Sequence, residues 1–142
     1  MRKAGWLVAS LLVSCGSDGL DKGFNGFWNQ TMTITVSGAA PAQYSNILQI
    51  ESDTHKAVLS GICPVEGEGG ASTTNGSGKT LYWESSSLCG TVQFGSCSTM
   101  QFTMKTGTLT LEDGTMTGSG TATGIGCGPA VDATYTVQET KQ

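Results

Sequence analysis

Histidine and arginine are almost absent from this chain. His55 is the only histidine and Arg2 the only arginine in 142 residues, and charged residues make up only 13%. A single imidazole excludes histidine-rich metal centres and leaves any histidine-based triad only His55 to build on. Seven basic residues against eleven acidic ones give a net charge of −4, which argues against the basic patch that nucleic acid requires. The main apolar run, Ala4 to Val13, falls well short of the roughly 20 residues of a transmembrane helix. Outside it no stretch of useful length repeats with the 3.6-residue period of an amphipathic helix. The cysteines include no C-x-x-C pair, so the close ligand spacing of a zinc site is missing and no metal or cofactor is expected.

What is present begins at the N-terminus. Met1-Arg2-Lys3 is a basic start, Ala4 to Val13 an apolar core, and Ser14 a small residue before Cys15, the layout of an export signal. Leu12-Val13-Ser14-Cys15 resembles the lipobox of bacterial lipoprotein signal peptides. The resemblance implies cleavage before Cys15, lipidation of its sulfur, and a protein of the bacterial cell envelope held to a membrane by its lipid. Gly16, rather than Asp, follows the cysteine and in enterobacteria resembles export to the outer membrane. A buried N-terminal strand or helix, and an ordinary secretory signal with a cysteine at its end, are the rival readings. The expected organisation is a signal peptide over 1–14, a lipidated cysteine with a flexible tether over 15–25, and a single β domain over 26–142. Arg2 and Lys3 are two of the seven basic residues, so the chain after Ser14 keeps five against eleven acidic ones. Anchoring to the membrane then falls to the lipid and not to a polybasic surface.

Period-two alternation starts at Trp28. Trp28, Gln30, Met32, Ile34 and Val36 share one face, and Asn29, Thr31, Thr33, Thr35 and Ser37 the other, the pattern of a half-buried strand. Tyr44 to Glu51 and Ala57 to Ile62 read as a hairpin, residues 64–79 as the longest loop, and Thr80 to Trp83 as the next strand. Met100, Phe102 and Met104 alternate with polar residues, as do Leu109 and Leu111, but the parity switches across Gly107, as a turn or bulge requires. Asp113-Gly114 predicts a two-residue hairpin turn. Met116 to Gly124 and Val131 to Val137 complete about eight strands. An all-β antiparallel up-and-down meander closing into a barrel follows, with a β-sandwich as the alternative. Gly26-Phe27-Trp28 resembles the G-x-W of the first lipocalin strand. In lipocalins that Trp packs near an arginine on the barrel floor, a residue without counterpart here because Arg2 leaves with the signal.

With Cys15 assigned to lipid, Cys63, Cys89, Cys97 and Cys127 form an even set that reads as two disulfides in an exported domain. Strand ends alternate between the two ends of a meander. If 85–98 is one connection, the expected pairs are Cys89–Cys97 and Cys63–Cys127. If Gly90 to Phe94 is itself a strand, they become Cys63–Cys97 and Cys89–Cys127. Both versions disfavour Cys63–Cys89 with Cys97–Cys127.

The chain carries few marks of chemistry. Gly76-Ser77-Gly78-Lys79-Thr80 looks like the end of a phosphate-binding loop, but Thr73 stands where the first glycine is needed and a strand follows in place of a helix. Glu51, Asp53 and His55 share a face if extended, yet read more simply as a solvated hairpin loop. No G-x-S-x-G elbow exists, and nothing pairs Glu84 with Glu112. Trp28, Tyr82, Trp83 and Phe102 are the candidates to line a ligand site, and each reads equally well as core. The expected role is structural or interactive and non-enzymatic, with an envelope protein as partner. A barrel for a small apolar ligand is the alternative, and an enzyme ranks last. The strand from Met116 carries a face of Gly118, Gly120, Ala122 and Gly124 that either is covered by large side chains or opens a cavity. Covering is expected.

Overall fold

A computed structural model describes residues 19–65 and 72–142. Cys15, the signal segment and the first tether residues lie outside the described residues. Eight strands run in chain order: β1 (Gly26–Val36), β2 (Ala42–Ser52), β3 (Lys56–Ser60), β4 (Ser72–Ser77), β5 (Thr80–Phe94), β6 (Cys97–Glu112), β7 (Thr115–Ile125) and β8 (Val131–Lys141). Each pairs antiparallel with the next, and β8 returns to β1 from Trp28↔Lys141 to Val36↔Ala133. The sheet closes on itself as a barrel, so the sandwich is excluded. Among the described residues no helix is long and apolar enough to cross a membrane.

The strand count agrees with the sequence for compensating reasons. β4 lies inside the expected loop; Ser72-Thr73-Thr74-Asn75-Gly76-Ser77 has no apolar residue to betray it, but it pairs with Lys56 to Leu59. Conversely, Met100–Met104 and Leu109–Leu111 belong to one strand, β6. The parity switch between them is a bulge, seen as a register shift between Met104 and Thr106 against β7. At Asp113-Gly114 both residues adopt positive φ, 52° and 80°, making the tight turn the dipeptide predicts.

One end, the floor, carries the start of β1, the β2–β3, β4–β5 and β6–β7 turns, and the C-terminus. Residues 19–25 are part of it rather than a free tether. Leu20 donates its N–H to Thr54, Asp21 donates to Gly78, and Gly78 donates back to Gly19. A 3-10 turn at Lys22–Phe24 pushes Phe24 under the barrel, where it is fully buried. The Trp28 indole donates to the Phe24 carbonyl at 2.9 Å. Lys141 Nζ stands 4.9 Å from the Trp28 ring centroid and donates to the carbonyls of Gly23 and Asn25. It supplies the floor cation that the G-x-W pattern lacked.

The opposite end, the crown, is built differently. β2 pairs with β3 only from Gln49 to Ser52, and β5 with β4 only from Thr80 to Tyr82. In the upper half, therefore, β2 and β5 face each other across a seam without a strand of the described residues between them. After β3, Gly61 (φ 99°) turns the chain inward so close to the Ile47 carbonyl that a Cβ would lie 2.4 Å from it. Ile62, Cys63 and Pro64 then enter the barrel as a buried strap. The Tyr44 hydroxyl bridges the rim of the seam by donating to the Gln93 carbonyl at 2.7 Å.

The disulfides are Cys63–Cys89 and Cys97–Cys127, with Cα separations of 5.7 and 5.9 Å, not either of the expected pairings. Two features overturn the strand-parity argument. β4 adds a reversal between Cys63 and Cys89, and the continuity of β6 removes one between Cys97 and Cys127. All four cysteines therefore fall in the upper half. Cys89 also lies within β5, buried against the strap, and not on a connection.

Candidate functional site

The inner face of the barrel carries one row of polar side chains. Asn46 on β2, Gln30 on β1 and Glu139 on β8 are direct cross-strand partners, and all three are buried. The sequence placed Gln30 on the apolar face of β1. Glu139 continues the inward parity of Ala133, Tyr135 and Val137, a signal readable by extending that alternation by one step.

Asn46 and Gln30 hold the strap. Asn46 Nδ2 reaches the carbonyls of Gly61, Cys63 and Val65 at 3.0, 2.8 and 3.1 Å. Gln30 Nε2 adds longer bonds to Gly61 and Cys63. A strap that leaves the sheet loses its ladder partners, and buried carbonyls without donors cost roughly 1–3 kcal/mol each. These two amides supply the missing donors.

Glu139 has no such partner. It is 1% exposed, and neither carboxylate oxygen makes a hydrogen bond; Gln30 Oε1 and Trp83 Nε1 are unpaired as well. Its strand neighbours are Gln30 and Met116, neither of them charged. Lys141, two residues on, is committed to the floor carbonyls. Burial without a countercharge disfavours the ionised form and pushes the Glu139 carboxyl up to about 9, so it is a neutral acid at pH 7. Sealed from solvent, it is out of reach of a diffusing substrate and unsuited to general acid catalysis.

The middle of the barrel is filled. Trp83, Gly107, Gly120 and Tyr135 form one row across β5, β6, β7 and β8. The two rings lie over the two glycines: a Cβ on Gly107 would sit 2.0 Å from Trp83, and one on Gly120 would sit 2.4 Å from the Tyr135 hydroxyl. That hydroxyl donates to the Thr106 carbonyl at 2.7 Å, beside the bulge. Phe102 covers Gly124 and packs edge-on against Phe94, with centroids 5.6 Å apart.

Of the four aromatic candidates, Trp28, Trp83 and Phe102 point inward at the floor, the middle and the upper half, so all three are core. Tyr82 is 55% exposed on the outer wall. His55 is exposed on the β2–β3 turn, and the Asp53 carboxylate there caps the Thr54 N–H at 2.8 Å. Among the described residues no cluster of His, Cys, Asp and Glu is poised to hold a metal. Glu84 faces Thr106 and Glu112 faces Thr115, so the two carboxylates are six residues apart along β6 and do not meet.

Outside, hydroxyls dominate. Thr35, Thr134, Thr121 and Thr106 form a continuous row across β1, β8, β7 and β6, and Thr33, Thr136, Ser119 and Thr108 form the row beneath. Thr suits this wall because its branched Cβ favours strand geometry and its hydroxyl pairs across strands, as Thr106 and Thr121 do at 2.8 Å. The short side chains leave a groove of about 690 Å³ along the upper row, with Lys105 and Asp132 also lining it. No family model matches the sequence, and no curated protein is similar enough to lend it a family.

Proposed function

We propose that this protein is a lipid-anchored component of the bacterial cell envelope, in the outer membrane, whose barrel works through its outer surface as a non-enzymatic structural or interaction module. One observation carries the non-enzymatic reading: aromatic rings over Gly107, Gly120 and Gly124, the buried strap and a sealed Glu139 occupy the inner face where a ligand or substrate would enter. Among the described residues the middle of the barrel is thus taken up by side chains, and the one buried carboxyl is closed off from a diffusing substrate. Two disulfides support an oxidising compartment, since such bonds persist there and are rare where thiols are kept reduced. The lipobox resemblance at Leu12 to Cys15 supplies the anchor.

Metabolic labelling with a fatty-acid analogue tests the anchor. Label is expected on the wild-type protein and lost in Cys15→Ala; an unlabelled wild type removes the membrane from this reading. The small-ligand alternative moves from the interior to the wall, where the groove of about 690 Å³ is the one feature in its favour. Apolar dye that binds the native protein and is displaced by Thr121→Trp would favour that alternative.

A further inference from the structure

We infer that the floor of the barrel rests on the surface of the lipid bilayer and the crown points away from it, a statement that builds on the lipid anchor proposed above. Covalent reach carries the argument. Gly19 already belongs to the floor, because its carbonyl accepts from Gly78 and its neighbour Leu20 donates to Thr54. Only residues 16–18 separate Gly19 from Cys15. Four extended residue steps span at most about 14 Å, so a lipidated Cys15 in the headgroup layer keeps the floor at or near that layer. The strands of the floor-to-crown wall are 11 residues long in β1, β2, β7 and β8. At about 3.3 Å per residue and a tilt of about 40°, the crown stands roughly 25–30 Å higher.

The chemistry of the two ends fits this orientation. Four of the five lysines in the described chain, Lys22, Lys56, Lys79 and Lys141, lie at the floor. Asp21, Glu51, Asp53, Glu112 and Asp113 lie there too, so the floor carries both signs. Such a surface suits a layer of phosphates and ammonium groups, where each sign finds a partner. It is not a polybasic patch, so the tether and not long-range attraction sets the contact. The crown connections at 37–41, 95–96 and 126–130 contain no charged residue, and the fourth, 61–71, carries only the acidic Glu66 and Glu68, so no basic residue lies in any of them.

The experiment uses the lipidated full-length protein in vesicles whose headgroups carry an energy-transfer acceptor. A clickable donor dye is placed either at Asp113 in the floor turn or at Ala40 in the crown turn, both exposed. Strong transfer is expected from position 113 and several-fold weaker transfer from position 40, with little change in high salt. A Gly/Ser spacer of about 20 residues inserted between Ser17 and Asp18 should bring the two values together. Equal transfer from both positions in fatty-acid-labelled protein without the spacer overturns the orientation alone. Absence of the fatty-acid label overturns the anchor and the orientation together.

Discussion

The floor and the crown are closed by opposite means. At the floor all eight strands are laddered, and the N-terminal segment is knitted on by hydrogen bonds, by Phe24 and by the Lys141–Trp28 contact. At the crown the sheet parts between β2 and β5, and the gap is held by the strap, tied to β5 by Cys63–Cys89 and to β2 and β1 by the amides of Asn46 and Gln30, while Cys97–Cys127 pins β6 to the β7–β8 connection. The floor thus needs only its own sequence, whereas the crown needs an oxidant as well. A protein exported unfolded would complete its floor by packing and its crown by oxidation.

Glu139 sets the largest expected effect, because it joins the floor strand β8 to the row that holds the strap. Its carboxyl is raised from 4.5 to about 9 in the fold. Between those values the folded chain keeps a proton that the unfolded chain has lost. Stability is therefore full below about pH 4.5 and falls as pH rises toward 9, by up to about 1.4 kcal/mol per unit. Glu139→Gln should melt like wild type at pH 4 and well above it at pH 8. Thermal melts of both proteins across this range decide the point; parallel curves would show that the carboxyl is not held neutral.

Gly120→Val attacks the girdle between the two ends. Its Cβ would lie 2.0 Å from the Thr106 carbonyl oxygen, and backbone cannot step aside as a side chain can. A loss of about 3 kcal/mol or more is expected, at the upper end of overpacking costs. An unchanged melting temperature would mean that Tyr135 does not cover the glycine and would reopen the interior as a ligand site.

Removing Cys63–Cys89 separates the ends directly. Cys63→Ala with Cys89→Ala opens a bridge of sequence separation 26 and should cost about 2–4 kcal/mol. Amide exchange should accelerate in the strap and the upper half of β5 and stay slow at Trp28 and Met32. Uniform acceleration would show that the two ends unfold as one unit. The smallest effect belongs to Lys141→Met, which removes the floor cation from Trp28 and two carbonyls; about 1 kcal/mol is expected from chemical denaturation, since the site is at the surface.

Much of the wall was legible because its signals are local. The alternation from Trp28 to Val36, the Asp113-Gly114 turn and the parity switch before Gly107 each need only a few neighbouring residues. β4 was invisible for the complementary reason: its six polar and glycine residues are a strand only because Lys56 to Leu59 pair with them. Without that one strand and with β6 divided, the count stays intact but Cys89 and Cys97 fall at the wrong end of the barrel. The buried row was half visible, through Gln30, while Glu139 lay one step past where the apolar alternation stops.

The sequence by itself determined the all-β class, the strand-and-turn rhythm and the hydroxyl wall, because strand periodicity and turn dihedrals are properties of adjacent residues. Three things were decided only by the tertiary structure. Cysteine pairing depends on how many times the chain reverses between two positions. Whether a glycine is a gap or a seat for a ring depends on what the neighbouring strands place opposite it, as Trp83 and Tyr135 show. The charge of Glu139 depends on how much water and which countercharges the closed barrel leaves around it. Each is set by residues distant in sequence that meet only when the ring of strands closes.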